Sequence, residues 1–83
     1  MSLPDVWPFA LGATNFTVLF DYDASGNQIY VGWAQPGSSQ SATVWRIMNQ
    51  TFNGSNQSTG IQWPNASTGF SFAWSQRATY SYS

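Results

Sequence analysis

The chain has no cysteine, histidine, lysine or glutamate, and its only charged side chains are Asp5, Asp21, Asp23, Arg46 and Arg77. Without cysteine there is no disulfide to brace a small fold and no thiolate to ligate a metal or act as a nucleophile. Without histidine the commonest metal ligand and the usual general base at neutral pH are missing as well. Serines and threonines are plentiful, but a hydroxyl needs a neighbouring base to become a nucleophile, and none of those four residue types is there to serve. These gaps predict a protein that is not an enzyme and that uses no metal or cofactor.

Charge is scarce altogether: 6% of residues are charged, against about 25% in ordinary soluble domains. A net charge of −1 with two arginines makes no basic stripe to displace the counterions of a nucleic acid, so no nucleic-acid partner is expected. No apolar run approaches the roughly 20 residues of a membrane span. Residues 1–12 lack the basic start and long apolar centre of a signal peptide, so no membrane partner is expected either. A domain of 83 residues buries only roughly 60–65% of its unfolded surface. With disulfides absent, and near-zero charge doing little to keep molecules apart, association with copies of itself or with another protein is the expected support.

What the chain does have is aromatic: five tryptophans, four tyrosines and six phenylalanines in a background of Ser, Thr, Asn, Gln and Gly. The clearest pattern lies in residues 15–34. Phe16, Val18, Phe20 and Tyr22 share one face of a strand by its two-residue period, with Asn15, Thr17, Leu19, Asp21 and Asp23 on the other. Ile29, Val31 and Trp33 continue the alternation beyond Asp23-Ala24-Ser25-Gly26-Asn27. That linker has the residues of a type I turn closed by a glycine at positive φ.

Further along, residues 35–41 form a loop by their Pro-Gly and serine content. Residues 42–53 form a third run, partly apolar on both faces. A turn at residues 54–58 precedes a short fourth run with Ile61 and Trp63, ended by Pro64. Residues 66–77 fit a strand or a short helical face, a helical turn or irregular segment being favoured, and a last strand is expected over 77–83 with Tyr80 and Tyr82 on one face. The expected fold is all-β, a small antiparallel meander of about five strands: an open sheet, a sandwich-like arrangement or a partly closed barrel. The spacing of the tryptophans is too uneven to indicate a propeller or trefoil repeat. Residues 15–83 make up this one domain. Residues 1–14, with two prolines and a glycine, are expected to form an extended arm whose Leu3, Val6, Trp7, Phe9 and Leu11 pack on this molecule or a neighbour.

Asp21-x-Asp23-x-Ser25-Gly26 looks like the opening of a calcium loop, but the position of the bidentate glutamate is Gly32 and no helices flank the segment, so a hairpin turn is expected instead. Trp33, Trp63 and Trp74 are candidates for stacking on sugar rings, although at alternating positions such as theirs a place in the core of a small β domain is the favoured expectation. Asn-x-Ser/Thr sequons, among them those at Asn15, Asn53, Asn56 and Asn65, are mostly accidents of composition.

Taken together, Asp21-Tyr22-Asp23, Gly26-Asn27-Gln28-Ile29-Tyr30-Val31-Gly32-x-Ala34-x-Pro36-Gly37, Val44-Trp45-x-Ile47 and Trp74-x-x-Arg77-Ala78-Thr79-Tyr80-Ser81 resemble small proteins of tailed bacteriophages encoded among virion structural genes. The likeness covers residues 21–83, and Trp33 departs from it, standing where a polar residue is usual. It implies a virion component without catalytic residues. The expectation is therefore a capsid decoration or cement subunit, or another accessory protein located in the virion. Its partners would be a major capsid or tail protein and copies of itself, touched through Trp7, Phe9, Trp33 and Trp63. A tail-associated or secreted carbohydrate-binding or host-recognition module is the alternative.

Overall fold

A computed structural model describes residues 15–83; the expected arm at residues 1–14, with Trp7 and Phe9, lies outside the described residues. The fold is all-β. Strands β1 (Thr17–Tyr22), β2 (Gln28–Ala34), β3 (Arg46–Phe52) and β4 (Ser58–Gln62) form one open antiparallel sheet in the order β1-β2-β3-β4. Among the described residues there are four strands rather than about five. The last strand, expected over 77–83, does not form: its first residues belong to a 3₁₀ helix, Trp74–Thr79, and beyond that helix an isolated bridge joins Tyr82 to Pro64. A second bridge joins Trp45 to Phe72. The favoured helical turn in residues 66–77 thus has its counterpart in this 3₁₀ helix, and the described residues contain neither a second sheet nor a closed barrel.

Both hairpins close by the same chemistry. In the first, the Gly26 amide donates to the Asp23 carbonyl (3.1 Å) and the Asp23 amide to the Asn27 carbonyl (2.9 Å). Gly26 sits at φ +82°, a conformation glycine adopts without the clash that a Cβ would bring. The Asp23 carboxylate accepts from the amides of Ser25 and Asn27, both at 2.9 Å. In the second, Asn53, Ser55, Asn56 and Gln57 repeat these roles thirty positions later, with Asn56 at φ +60° in place of Gly26 and Asn53 accepting from the amides of Ser55 and Gln57. A side-chain bond from Asn27 to Asn56 (3.0 Å) ties the two turns together. The hairpins are thus a structural repeat, marked in the sequence by few identities beyond Ser25/Ser55 and Trp33/Trp63.

The two turns differ in one titratable group. Hydrogen bonding from the Asn27 amide, with lesser help from Ser25 and Gly26, holds the Asp23 carboxyl below its ordinary 3.8. A depressed folded pKa contributes stability that is present above the unfolded value and lost as pH falls through the folded one. The urea midpoint is therefore expected to drop as pH is lowered below about 4. Asp23→Asn, which installs the acceptor that Asn53 already provides in the second turn, should remove this part of the acid sensitivity while the midpoint at pH 7 changes little. An unaltered acid profile in that variant would contradict the assignment.

The sheet has two unlike faces, and the C-terminal segment covers one of them. Leu19, Tyr30, Gly32, Ala34, Trp45 and Ile47 point to the covered side, where Phe72, Trp74, Tyr80 and Tyr82 lie over them. Trp45 and Ile47 are fully buried. The Trp74 ring rests on Gly32, so close that a Cβ there would fall 2.4 Å from its Cε3, and tilts against Trp45 with ring centroids 6.0 Å apart. Phe72 and Tyr80 meet edge to face at 5.0 Å.

Polar groups in this layer are bonded. The Trp45 indole N–H donates to the Ser39 carbonyl (2.9 Å), the Ala73 amide to the Tyr80 hydroxyl (2.9 Å), and the Tyr82 hydroxyl to the Arg77 carbonyl (2.7 Å). Burial, with Tyr30 and Tyr80 nearby, pushes the Tyr82 hydroxyl well above its usual 10.0. Arg77 clips the segment to β1: its guanidinium lies 4.6 Å from the Trp74 ring centroid, donates to the Trp74 carbonyl (3.1 Å), and pairs with Asp21 at 3.0 Å.

Candidate interaction surface

The other side of the sheet has no layer of described residues lying over it. Strand alternation and the ladder registers array its side chains in rows. Val18, Trp33 and Arg46 form one row across β1, β2 and β3, and Phe20, Val31 and Met48 form the next. Gln50 and Ile61 pair across β3 and β4, with Tyr22 on the same side by the alternation within β1. At one end Phe16 stacks on Phe70 (5.4 Å), and together with Gln35 and Val44 they line an open depression.

This face is apolar without being a core. Val31, in its middle, is buried by its neighbours, but Phe20 is 50% exposed, Ile61 52% and Tyr22 55%. The alternation in residues 15–34 thus groups the side chains correctly, while the more apolar of the two faces of β1 is the uncovered one. The reason lies in β2 and β3. Gly32, Ala34, Trp45 and Ile47 make the other side a surface that large aromatics can enter, and the C-terminal segment supplies them. On β1 that side carries Leu19 and Asp21, the latter neutralised by Arg77.

At the head of the open face, Arg46 lies between two tryptophans. Its guanidinium carbon is 5.4 Å from the Trp33 ring centroid and 4.7 Å from that of Trp63. Trp33 is its partner across the β2–β3 ladder. Trp63, just past β4, is the thirty-residue counterpart of Trp33 in the second hairpin. Each such cation–π contact contributes about 0.5–1 kcal/mol in the open and about 2 when desolvated. The Arg46 Nε is buried with no hydrogen-bond partner, and Arg46 has no carboxylate partner among the described residues.

The structure therefore brings together two of the four residues singled out as partner-binding, Trp33 and Trp63. Both are half-buried on the open face, while Trp7 and Phe9 lie outside the described residues. Trp74, grouped with Trp33 and Trp63 as a sugar-stacking candidate, belongs to the covered core at 4% exposure. Arg46 is the residue that sequence reading missed. The available signal was the thirty-residue offset that sets Trp33 and Trp63 at like positions, with a lone cation in the strand between them.

The two turn aspartates do not converge: Asp21 faces Arg77 on the covered side and Asp23 is engaged by the turn amides. Among the described residues no group of three or more acidic side chains is placed to hold a metal, and no helix is long and apolar enough to cross a membrane. No protein-family model, no curated protein and no solved structure matches this chain.

Proposed function

We propose that this chain is an accessory structural protein of a bacteriophage particle, a decoration or cement subunit that works by holding a capsid or tail protein against the open face of its sheet. The observation that carries the reading is the apolar character of that face. Phe20, Tyr22 and Ile61 present large side chains to solvent in a chain with little charge to keep other molecules away, and large apolar side chains exposed on one face are characteristic of interaction sites. The resemblance of residues 21–83 to small virion proteins supplies the setting. The protein is not an enzyme in this reading, and its location is the virion.

The test is co-sedimentation with virions of the encoding phage, with copy number by mass spectrometry. The wild-type chain is expected to travel with particles. Phe20→Asp combined with Ile61→Asp, at positions already half exposed, should leave circular dichroism unchanged while removing at least about 90% of the bound protein; desolvating two unpaired carboxylates disfavours docking by several kcal/mol. A wild-type chain that stays in the supernatant overturns the proposal, and one that instead binds glycans with tryptophan quenching replaces it by the host-recognition reading.

A further inference from the structure

We infer that Arg46, held between Trp33 and Trp63, is a receptor for a carboxylate that a partner protein presents among apolar side chains. This rests on the open face being a docking surface and specifies what docks there. Of the two arginines, Arg77 is neutralised by Asp21 on the covered side, at 3.0 Å. Arg46 is the cation of the open face. Asp23 is occupied by the amides of its own turn, and Asp5 lies outside the described residues.

Any protein that covers this face removes water from a guanidinium whose Nε is already stripped of it. Burying a charge without a counter-charge costs more than apolar contact returns, so the covering surface must bring a negative acceptor. A second copy paired open face to open face does not meet that requirement. In a two-fold pairing of open faces each copy presents the same patch, and so brings another arginine into the interface. The occupant is therefore a different surface, with an aspartate, a glutamate or a chain-terminal carboxylate ringed by aliphatic or aromatic groups to meet Phe20, Met48 and Ile61.

The tryptophans make Arg46 suited to this role. Flanked by two indoles, the guanidinium has lost much of its rotamer freedom before any partner arrives, and its planar fork matches a carboxylate through two parallel N–H···O bonds. Less ordering entropy then remains to be lost on binding.

Three blocked pentapeptides, Leu-Val-Asp-Val-Leu and its counterparts with Asn or Lys at the centre, test this by tryptophan fluorescence and by the indole N–H resonances of Trp33 and Trp63. The host is the full chain carrying Asp5→Asn, so that its own acid cannot compete. The Asp peptide is expected to bind about tenfold more tightly than the Asn peptide, and the Lys peptide least, in keeping with charge-assisted bonding. The advantage should shrink at about 1 M salt, where the Debye length is about 3 Å, and vanish in Arg46→Met with the fold intact. Equal affinity for Asp and Asn peptides, or an Asp preference that survives Arg46→Met, overturns the inference. If Asp and Asn peptides bind equally and Phe20→Asp abolishes both, the inference fails while the docking surface stands; if no peptide binds at all, both fail.

Discussion

Replacing Trp45 by alanine should cost about 3–5 kcal/mol, the range for deleting a large aromatic from a packed interior. A domain of this size has a total stability near the lower end of about 5–15 kcal/mol, so most of the folded population is lost. Trp45 is 1% exposed. It pairs with Phe72 through two backbone bonds of 2.8 and 3.1 Å, donates its indole N–H to Ser39, and supports Trp74. Its removal leaves a void beneath the C-terminal segment and takes from the Ser39 carbonyl one of its two donors, the Ala42 amide (3.2 Å) being the other. Trp33→Ala on the open face provides the contrast: it loses one cation–π contact and part-exposed area, at about 1–2 kcal/mol. Urea unfolding followed by near-ultraviolet circular dichroism measures both. Equal costs for the two tryptophans would contradict the division into a covered and an open face.

Gly32→Val sets local preference against packing. Gly32 lies inside β2, where valine is favoured over glycine by up to about 1 kcal/mol on strand propensity alone. On that ground the substitution would stabilise. The Cβ, however, would stand 2.4 Å from Cε3 and 2.7 Å from Cζ3 of Trp74, and 3.2 Å from Cε3 of Trp45. These atoms belong to rings held within the core, not to the free end of a flexible chain. Trp74 must lift, loosening its contacts with Trp45 and Arg77 and the segment that carries them. Overpacking of this kind costs about 1–3 kcal/mol, and occasionally more. The expected result is a net loss of about 2–3 kcal/mol in the urea series, with a changed near-ultraviolet signal as Trp74 moves. A variant as stable as the parent would show that the ring yields without cost.

Much of the sheet was legible because its cues are local. Asp23-Ala24-Ser25-Gly26-Asn27 specifies its turn through a side-chain acceptor and a glycine, and the alternation on either side follows from the strand period. Which face is covered was not legible, because the answer depends on residues distant in sequence. Phe16, Val18, Phe20 and Tyr22 read as one apolar row on β1, and nothing local reveals that Phe72, Trp74, Tyr80 and Tyr82 take the opposite side. Gly32 shows the same limit. In the sequence it is the missing glutamate of a calcium loop; in the fold it is the socket of Trp74. Tyr80 and Tyr82 share a side as the alternation implies, but Trp74–Thr79 is wound into a 3₁₀ turn that brings Arg77 to Asp21, so these residues do not extend into a fifth strand. Of the candidate site, Trp33 and Trp63 were singled out as aromatics in a polar background, whereas Arg46 needed the ladder register to place it between them.

The strand order carries a kinetic consequence. Every strand pairs with its neighbour in sequence, so the sheet assembles from short loops and each hairpin can zip independently of the other. The covering segment reports from much further away, Arg77 closing onto Asp21 across 56 residues, and it is attached to the sheet by two isolated bridges instead of a continuous ladder. The covering segment, residues 72–83, is therefore expected to dock after the hairpins have zipped and to open before they do, baring the indoles beneath it. Amide exchange and proteolytic nicking are expected to be fastest at that end of the molecule and slowest at the amides shared by β2 and β3.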